Sequence, residues 1–146
     1  MEELVINKVG NSNLISLNST LTSDLYGVEI ARRNSHMKSQ DFRNITAKLD
    51  KITSPFFSVL LFGSRLSSSE PNDIDLCVIA DDVELQENIR EELDTLSYPL
   101  DINTFTSTEF AEMLLSKQPN LANEIIKHNI ILKGIENYYW LLRWIP

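Results

Sequence analysis

Hydrophobic and polar positions fall into two rhythms along this chain. Ser58 to Phe62 is an unbroken run rich in β-forming apolar residues and reads as a buried strand. Ile74 to Ile79 and Tyr98 to Thr104 read as two further strands. Around them, apolar residues recur at helical spacing. Phe42, Ile45, Leu49 and Ile52 mark a helix over Ser39 to Ile52, and Leu85, Ile89, Leu93 and Leu96 mark the next. Asp81-Asp82 precedes the second of these as a loop and N-cap pair. Thr106-x-x-Glu109 is a capping box opening a helix over Ser107 to Leu115. Pro119 breaks it, and Leu121 to Asn129 forms another. Ile130 to Leu132 is either a short strand or the approach to Gly134. Glu136 to Ile145 reads as a helix, with Trp140 and Trp144 expected to be buried in the chain's own domain or against a second chain. Together these segments predict an α+β fold, a small mixed sheet of three core strands with helices packed on it.

Ahead of this core, Glu3 to Val9 and Leu14 to Leu17 alternate loosely about Gly10-Asn-Ser-Asn13. The pattern predicts a β-hairpin with a four-residue loop, standing apart from the main sheet. Asn18-Ser-Thr20 then offers caps for a helix from Leu21 to about Arg33. The division expected is a hairpin and linker helix over residues 1–38 and a main domain over 39–146.

Composition narrows the classes. The 146 residues are 42% hydrophobic and 23% charged, enough for one domain with a good core. The segment up to Gln40 is neutral, so the formal net charge of −8 lies beyond it. Such a chain does not bind nucleic acid by bulk electrostatics, and a local patch would have to do that. No apolar stretch is long enough to span a bilayer, and Glu2 and Glu3 stand where a secretory leader would be basic. A single cysteine, Cys77, forms no intrachain disulfide and reads as a small buried hydrophobe. A cytoplasmic protein that does not enter the membrane is expected.

The chemistry-bearing residues cluster after the first core strand. Gly63 can take backbone angles closed to other residues and lets a ligand approach the main chain, and Ser64 adds a hydroxyl. Asp73 and Asp75, two apart on a strand, point the same way. Adjacent carboxylates repel unless a cation neutralises them, and oxygen-only ligands suit Mg²⁺. Alone, Gly63-Ser64 would be an ordinary strand-to-helix turn. Beside the aspartates it points to a phosphate group of a metal-bound triphosphate. Arg65 either reaches a phosphate or is solvated after the turn. His36 and His128 have no partners at metal-ligand spacing and read as surface residues.

Gly63-Ser64 followed by Asp73-Ile74-Asp75-Leu76 resembles the signature of the polymerase-beta-type nucleotidyltransferases, most closely the minimal nucleotidyltransferase branch. The resemblance covers roughly Gln40 to Lys133. It implies a third carboxylate on a later strand, which Leu100-Asp101-Ile102 supplies. By the same resemblance Asp73, Asp75 and Asp101 would hold two Mg²⁺ ions, and Gly63, Ser64 and Arg65 the phosphates of a nucleoside triphosphate, ATP by default. The reaction implied transfers a nucleoside monophosphate, AMP for ATP, to a hydroxyl of a protein, RNA or small molecule. Some members of that branch pair with a HEPN-type toxin and modify it, so the implied partners are such a protein or a second copy of the chain. The sequence departs from the pattern in a Ser64–Asp73 loop shorter by a residue or two and lacking the glycine often found there. The hairpin and helix ahead of such a core resemble the wing of a winged-helix DNA-binding domain, or else form an extra edge unit. The alternative function is therefore a transcriptional regulator with a DNA-binding wing and a nucleotide-sensing, weakly active or inactive transferase domain.

Overall fold

The computed structural model describes residues 4–9, 12–17, 22–66 and 73–143. Two strands, β1 (Leu4–Val9) and β2 (Ser12–Leu17), are followed by helices α1 (Ser23–His36) and α2 (Gln40–Leu49). Then come β3 (Ser58–Phe62), a 3-10 turn over Ser64–Leu66, β4 (Ile74–Ile79), α3 (Val83–Asp94) and β5 (Leu100–Phe105). The chain closes with α4 (Ser107–Leu115), α5 (Leu121–Lys127), β6 (Ile130–Lys133) and α6 (Ile135–Arg143). The fold is α+β, with a four-stranded mixed sheet in the order β5-β4-β3-β6 and six helices among the described residues. β3 runs antiparallel to β4 and β6, while β4 and β5 are parallel and need the α3 crossover to connect them. No helix among the described residues is long and apolar enough to cross a membrane.

Alternation along the strands sends their side chains into two cores. Val59 and Leu61 of β3, with Ile74, Leu76 and Val78 of β4, meet Phe42, Ile45 and Leu49 of α2 and Leu85, Ile89 and Leu93 of α3. Leu60, Phe62, Cys77 and Ile79 face the other way, onto Phe110 of α4, Ala122 and Ile125 of α5, and Ile135 and Tyr138 of α6. All five residues of β3 are buried, as befits a central strand covered on both faces. Cys77 is a core residue, and burial pushes its thiol up to about 12. The caps expected for α3 and α4 form, whereas α1 starts at Ser23 and is capped by Thr22 rather than by Asn18-Ser-Thr20. Asp82 accepts from the backbone N–H groups of Glu84 and Leu85, and Thr106 and Glu109 make a reciprocal capping box at α4. Gly134 turns the chain from β6 into α6 with φ +75°, where a side chain would collide with the Phe57 carbonyl.

Two expectations are corrected, the length of the hairpin loop and the number of strands in the main sheet. The hairpin register pairs Val9 with Ser12 and Lys8 with Asn13, leaving residues 10 and 11 between the strands rather than four. Ser12 and Asn13 look like turn residues, but strand pairing uses only their backbone N–H and C=O groups. β1 and β2 pair with each other and with neither edge strand of the four-stranded sheet, as expected of a hairpin standing apart. Trp140 is 57% exposed on the single chain, which leaves a second chain as the cover the expectation allows. Ile135 and Tyr138 set the buried side of α6, and at 100° per residue Trp140 lies about 200° round from Tyr138. Trp144 lies outside the described residues. β6 is a real strand, a fourth member of the sheet beyond the three expected, paired to β3 with an irregularity at Val59 and Leu60.

The helix α1 is fixed by a buried carboxylate. Glu29 is 4% exposed. It accepts two bonds from Arg32 Nη1 (3.1 and 3.0 Å) and one from the Tyr139 hydroxyl (2.6 Å). Arg32 Nη2 also donates to the Asn129 carbonyl at 2.7 Å, just ahead of β6. Burial and the Glu29 carboxylate push the Tyr139 hydroxyl well above its ordinary value, so it remains a donor. A buried charge is tolerated only when so paired. Tyr139→Phe removes one neutral donor from this carboxylate and is expected to lower stability by about 1–3 kcal/mol in urea unfolding. A loss below about 0.5 kcal/mol, the range of an ordinary surface change, would show that the hydroxyl does not hold α1.

Candidate functional site: a carboxylate pair against a glycine

β4 and β5 lie in parallel register, Ile74 opposite Leu100, Asp75 opposite Asp101, and Cys77 opposite Asn103. The register brings Asp75 and Asp101 side by side on the face that carries Cys77 and Phe105. Apolar residues fill that face farther along the strands. At this end the covering helices give way to an open cleft of about 460 Å³, lined by Gly63, Asp75, Asp101, Asn103, Glu124 and His128 among others. Asp73, one residue before β4, is exposed and lies on the same side as Asp75 by the two-residue strand period.

The carboxylates sense one another. Desolvation by partial burial raises the Asp75 carboxyl above its ordinary value, and the negative charges of Asp101 and then Asp73 raise it further. Among the described residues, no three His, Cys, Asp or Glu side chains form a group ready to hold a metal ion. The donor chemistry nonetheless fits a hard divalent cation, since Asp75 and Asp101 offer oxygens only and repel each other without one.

Gly63 explains how Asp75 is placed. Its φ is +82°, a left-handed conformation that glycine adopts freely. A Cβ on Gly63 would overlap Asp75 Oδ2 and crowd its Cγ. The carboxylate thus occupies the space that any other residue at position 63 would need. Phe62 is the register partner of Asp75 on β3, which sets the two elements at that spacing. Ser64 is exposed and opens the 3-10 turn. Arg65 pairs with α2. Its Nη2 lies 3.3 Å from Asp41 Oδ2 on α2, and its guanidinium sits 5.6 Å from the centre of the Phe42 ring.

Three cleft residues escaped the sequence reading. Asn103 stands two residues after Asp101 on the same strand face, a relation the period of two carries in the sequence. Glu124 and His128 come from α5 and its end, and only the packing of α5 over the sheet brings them to the cleft. Neither the protein-family models nor the curated proteins searched contain a match to this chain.

Gly63→Ala is expected to cost about 1–3 kcal/mol in stability, from a side chain at positive φ and the collision with Asp75. In an Asp75→Ala background the collision is gone, so the double variant should lose less than the sum of the two singles. Strict additivity would show that residues 63 and 75 do not compete for space.

Protonation of Asp75 has a defined sign. Its folded pKa lies above the unfolded value near 3.8, so the folded state holds its proton more tightly and its ionisation destabilises the fold as pH rises through that folded value. Without divalent cations, Asp75→Asn is expected to be more stable than the parent at pH 7, the difference vanishing near pH 3. Thermal melts across this range check it, and a variant less stable at pH 7 would contradict the repulsion.

Proposed function

We propose that the chain is a nucleotidyltransferase of the polymerase-beta type, transferring AMP from ATP to an acceptor hydroxyl. The observation that carries this reading is the pairing of Asp75 with Asp101 on parallel strands, at an open cleft and against the bare backbone of Gly63. Asp73 joins them through its effect on Asp75. Asp73, Asp75 and Asp101 are the residues that would hold Mg²⁺. When bound, Mg²⁺ neutralises the carboxylates and screens the triphosphate.

In the proposed reaction the acceptor oxygen attacks the α-phosphorus of ATP. A new P–O bond forms, the bond from the α-phosphorus to the bridging oxygen breaks, and pyrophosphate leaves with that electron pair. Asp101, on the sheet's edge strand and open to solvent, would take the proton from the acceptor hydroxyl. Gly63, with no side chain at the turn, lets the phosphates approach the main chain, and Ser64 supplies a hydroxyl beside them. The exposure of Asp101 favours an acceptor that arrives from solution, such as a hydroxyl on a protein surface. The regulator reading shares the nucleotide site and differs in its DNA-binding wing and in weak or absent transfer. The self-contained β1–β2 sheet is the feature that keeps it alive.

ATP binding measured by calorimetry is expected to require Mg²⁺ and to weaken at least about tenfold, about 1.4 kcal/mol, in Asp75→Asn. Labelled ATP incubated with candidate proteins and RNA should then transfer label. Magnesium-independent binding that survives Asp75→Asn would overturn the site. Magnesium-dependent binding with no label transferred would select the nucleotide-sensing regulator.

A further inference from the structure

The two sides of α6 differ in character. Ile135 and Tyr138 are buried, with Tyr139 and Leu142 partly buried beside them. On the outer side Glu136, Trp140 and Arg143 are exposed, Trp140 to 57%. These three follow one another at i, i+4 and i+7, so they form one stripe about 60° wide along the helix. An acid stands near its N-terminal end, a base near its C-terminal end, and an indole between them. The Arg143 guanidinium lies 5.2 Å from the centre of the Trp140 ring.

A second exposed aromatic borders the stripe. Phe56 is 76% exposed, and with Asn137, Trp140 and Leu141 it lines a cleft of about 300 Å³ at the start of β3. The backbone on both sides of Phe56 is tied to α6. Asn137 Nδ2 donates to the carbonyls of Pro55, at 2.5 Å, and Phe57, at 3.2 Å. Aromatic residues and arginine are the types enriched at protein interfaces, and here two aromatics and an arginine share one exposed surface.

We infer that α6 docks on α6 of a second copy of this chain, antiparallel, about a two-fold axis at Trp140. The order of charges on the stripe selects this occupant. Glu136 and Arg143 stand seven residues apart, about 10.5 Å along the axis, too far to pair within one helix. An antiparallel crossing centred on Trp140 exchanges them. Each Glu136 then meets the partner's Arg143, and the two Trp140 rings meet at the axis. A two-fold contact presents the same patch from both sides, so the patch must complement itself. The order acid, aromatic, base does so, whereas like charges at both ends would not. The net charge of −8 opposes the approach of two copies, so association depends on such a local pairing.

The contact leaves the carboxylates open. Along β3 and β4, Ser58 pairs with Ile79 at the cleft beside α6, and Phe62 pairs with Asp75 at the other end. The dimer therefore carries two accessible carboxylate clefts, and the inference does not rest on what binds them.

Sedimentation velocity of the full chain tests it from about 1 to 200 µM, because a contact of this size lies at the weak end of specific interfaces. The parent is expected to pass from monomer to dimer within that range. Trp140→Ala removes the central aromatic. Glu136→Arg sets cation against cation and Arg143→Glu sets acid against acid, each twice by symmetry. Each of these single variants is expected to raise the dimer Kd at least about tenfold. Glu136→Arg combined with Arg143→Glu exchanges the charges and is expected to return the Kd to within about threefold of the parent. All four variants alter exposed positions, and thermal melts check that they fold. A parent chain that stays monomeric to the top of the range would overturn the inference. A dimer indifferent to these variants would place the contact elsewhere and overturn it too. A double variant no tighter than its singles would overturn the antiparallel pairing of Glu136 with Arg143.

Discussion

The architecture of the site depends on one exclusion: the Asp75 carboxylate stands where the side chain of residue 63 would be. This couples two conditions that look separate in the sequence. The turn after β3 takes a left-handed residue, and the strand beside it carries an acid whose oxygen fits against bare backbone. Neither condition is useful alone. A glycine turn next to an apolar strand would leave a void, and an aspartate next to an alanine turn would be pushed out of line with Asp101. Because β3 is buried on both faces, the end of that strand is held by packing, and the turn it carries inherits a fixed position.

Electrostatic order follows from strand order. The chain is acidic overall, yet at one end of the sheet Gly63 borders both a cleft lined by Asp75, Asp101 and Glu124 and one lined by Arg32 and His36. Net charge says nothing of such a division, because it is made by which strands neighbour β3 and which helix rests on β6.

What the sequence revealed was local. β3 and β4 begin and end where the apolar runs do, and the Thr106–Glu109 box opens α4 where the capping pattern put it. These features depend on near neighbours in the chain. The pairing of Asp75 with Asp101 was foreseen only as a family-like juxtaposition, since parallel register is set by the α3 crossover and the packing of both cores. His128 and Glu124 were invisible for the same reason, and Arg65, read as a phosphate ligand or a solvated arginine, sits against Asp41 and Phe42. Trp140 shows a different limit. An aromatic cluster at the end of a chain suggests burial, but the helix phase set by Ile135 and Tyr138 turns that residue outward.

The clamp on Glu29 has a thermodynamic consequence. Peeling α1 from the domain would strip a buried carboxylate of Tyr139 and take Arg32 from the Asn129 carbonyl in the same motion. Partial opening is therefore penalised as heavily as complete opening, and α1 behaves as a cooperative unit of local unfolding. Arg32 and His36, which line a cleft beside Gly63, are present together or absent together. Slow amide exchange along α1 would therefore report the integrity of this clamp, without any change in the shape of the fold.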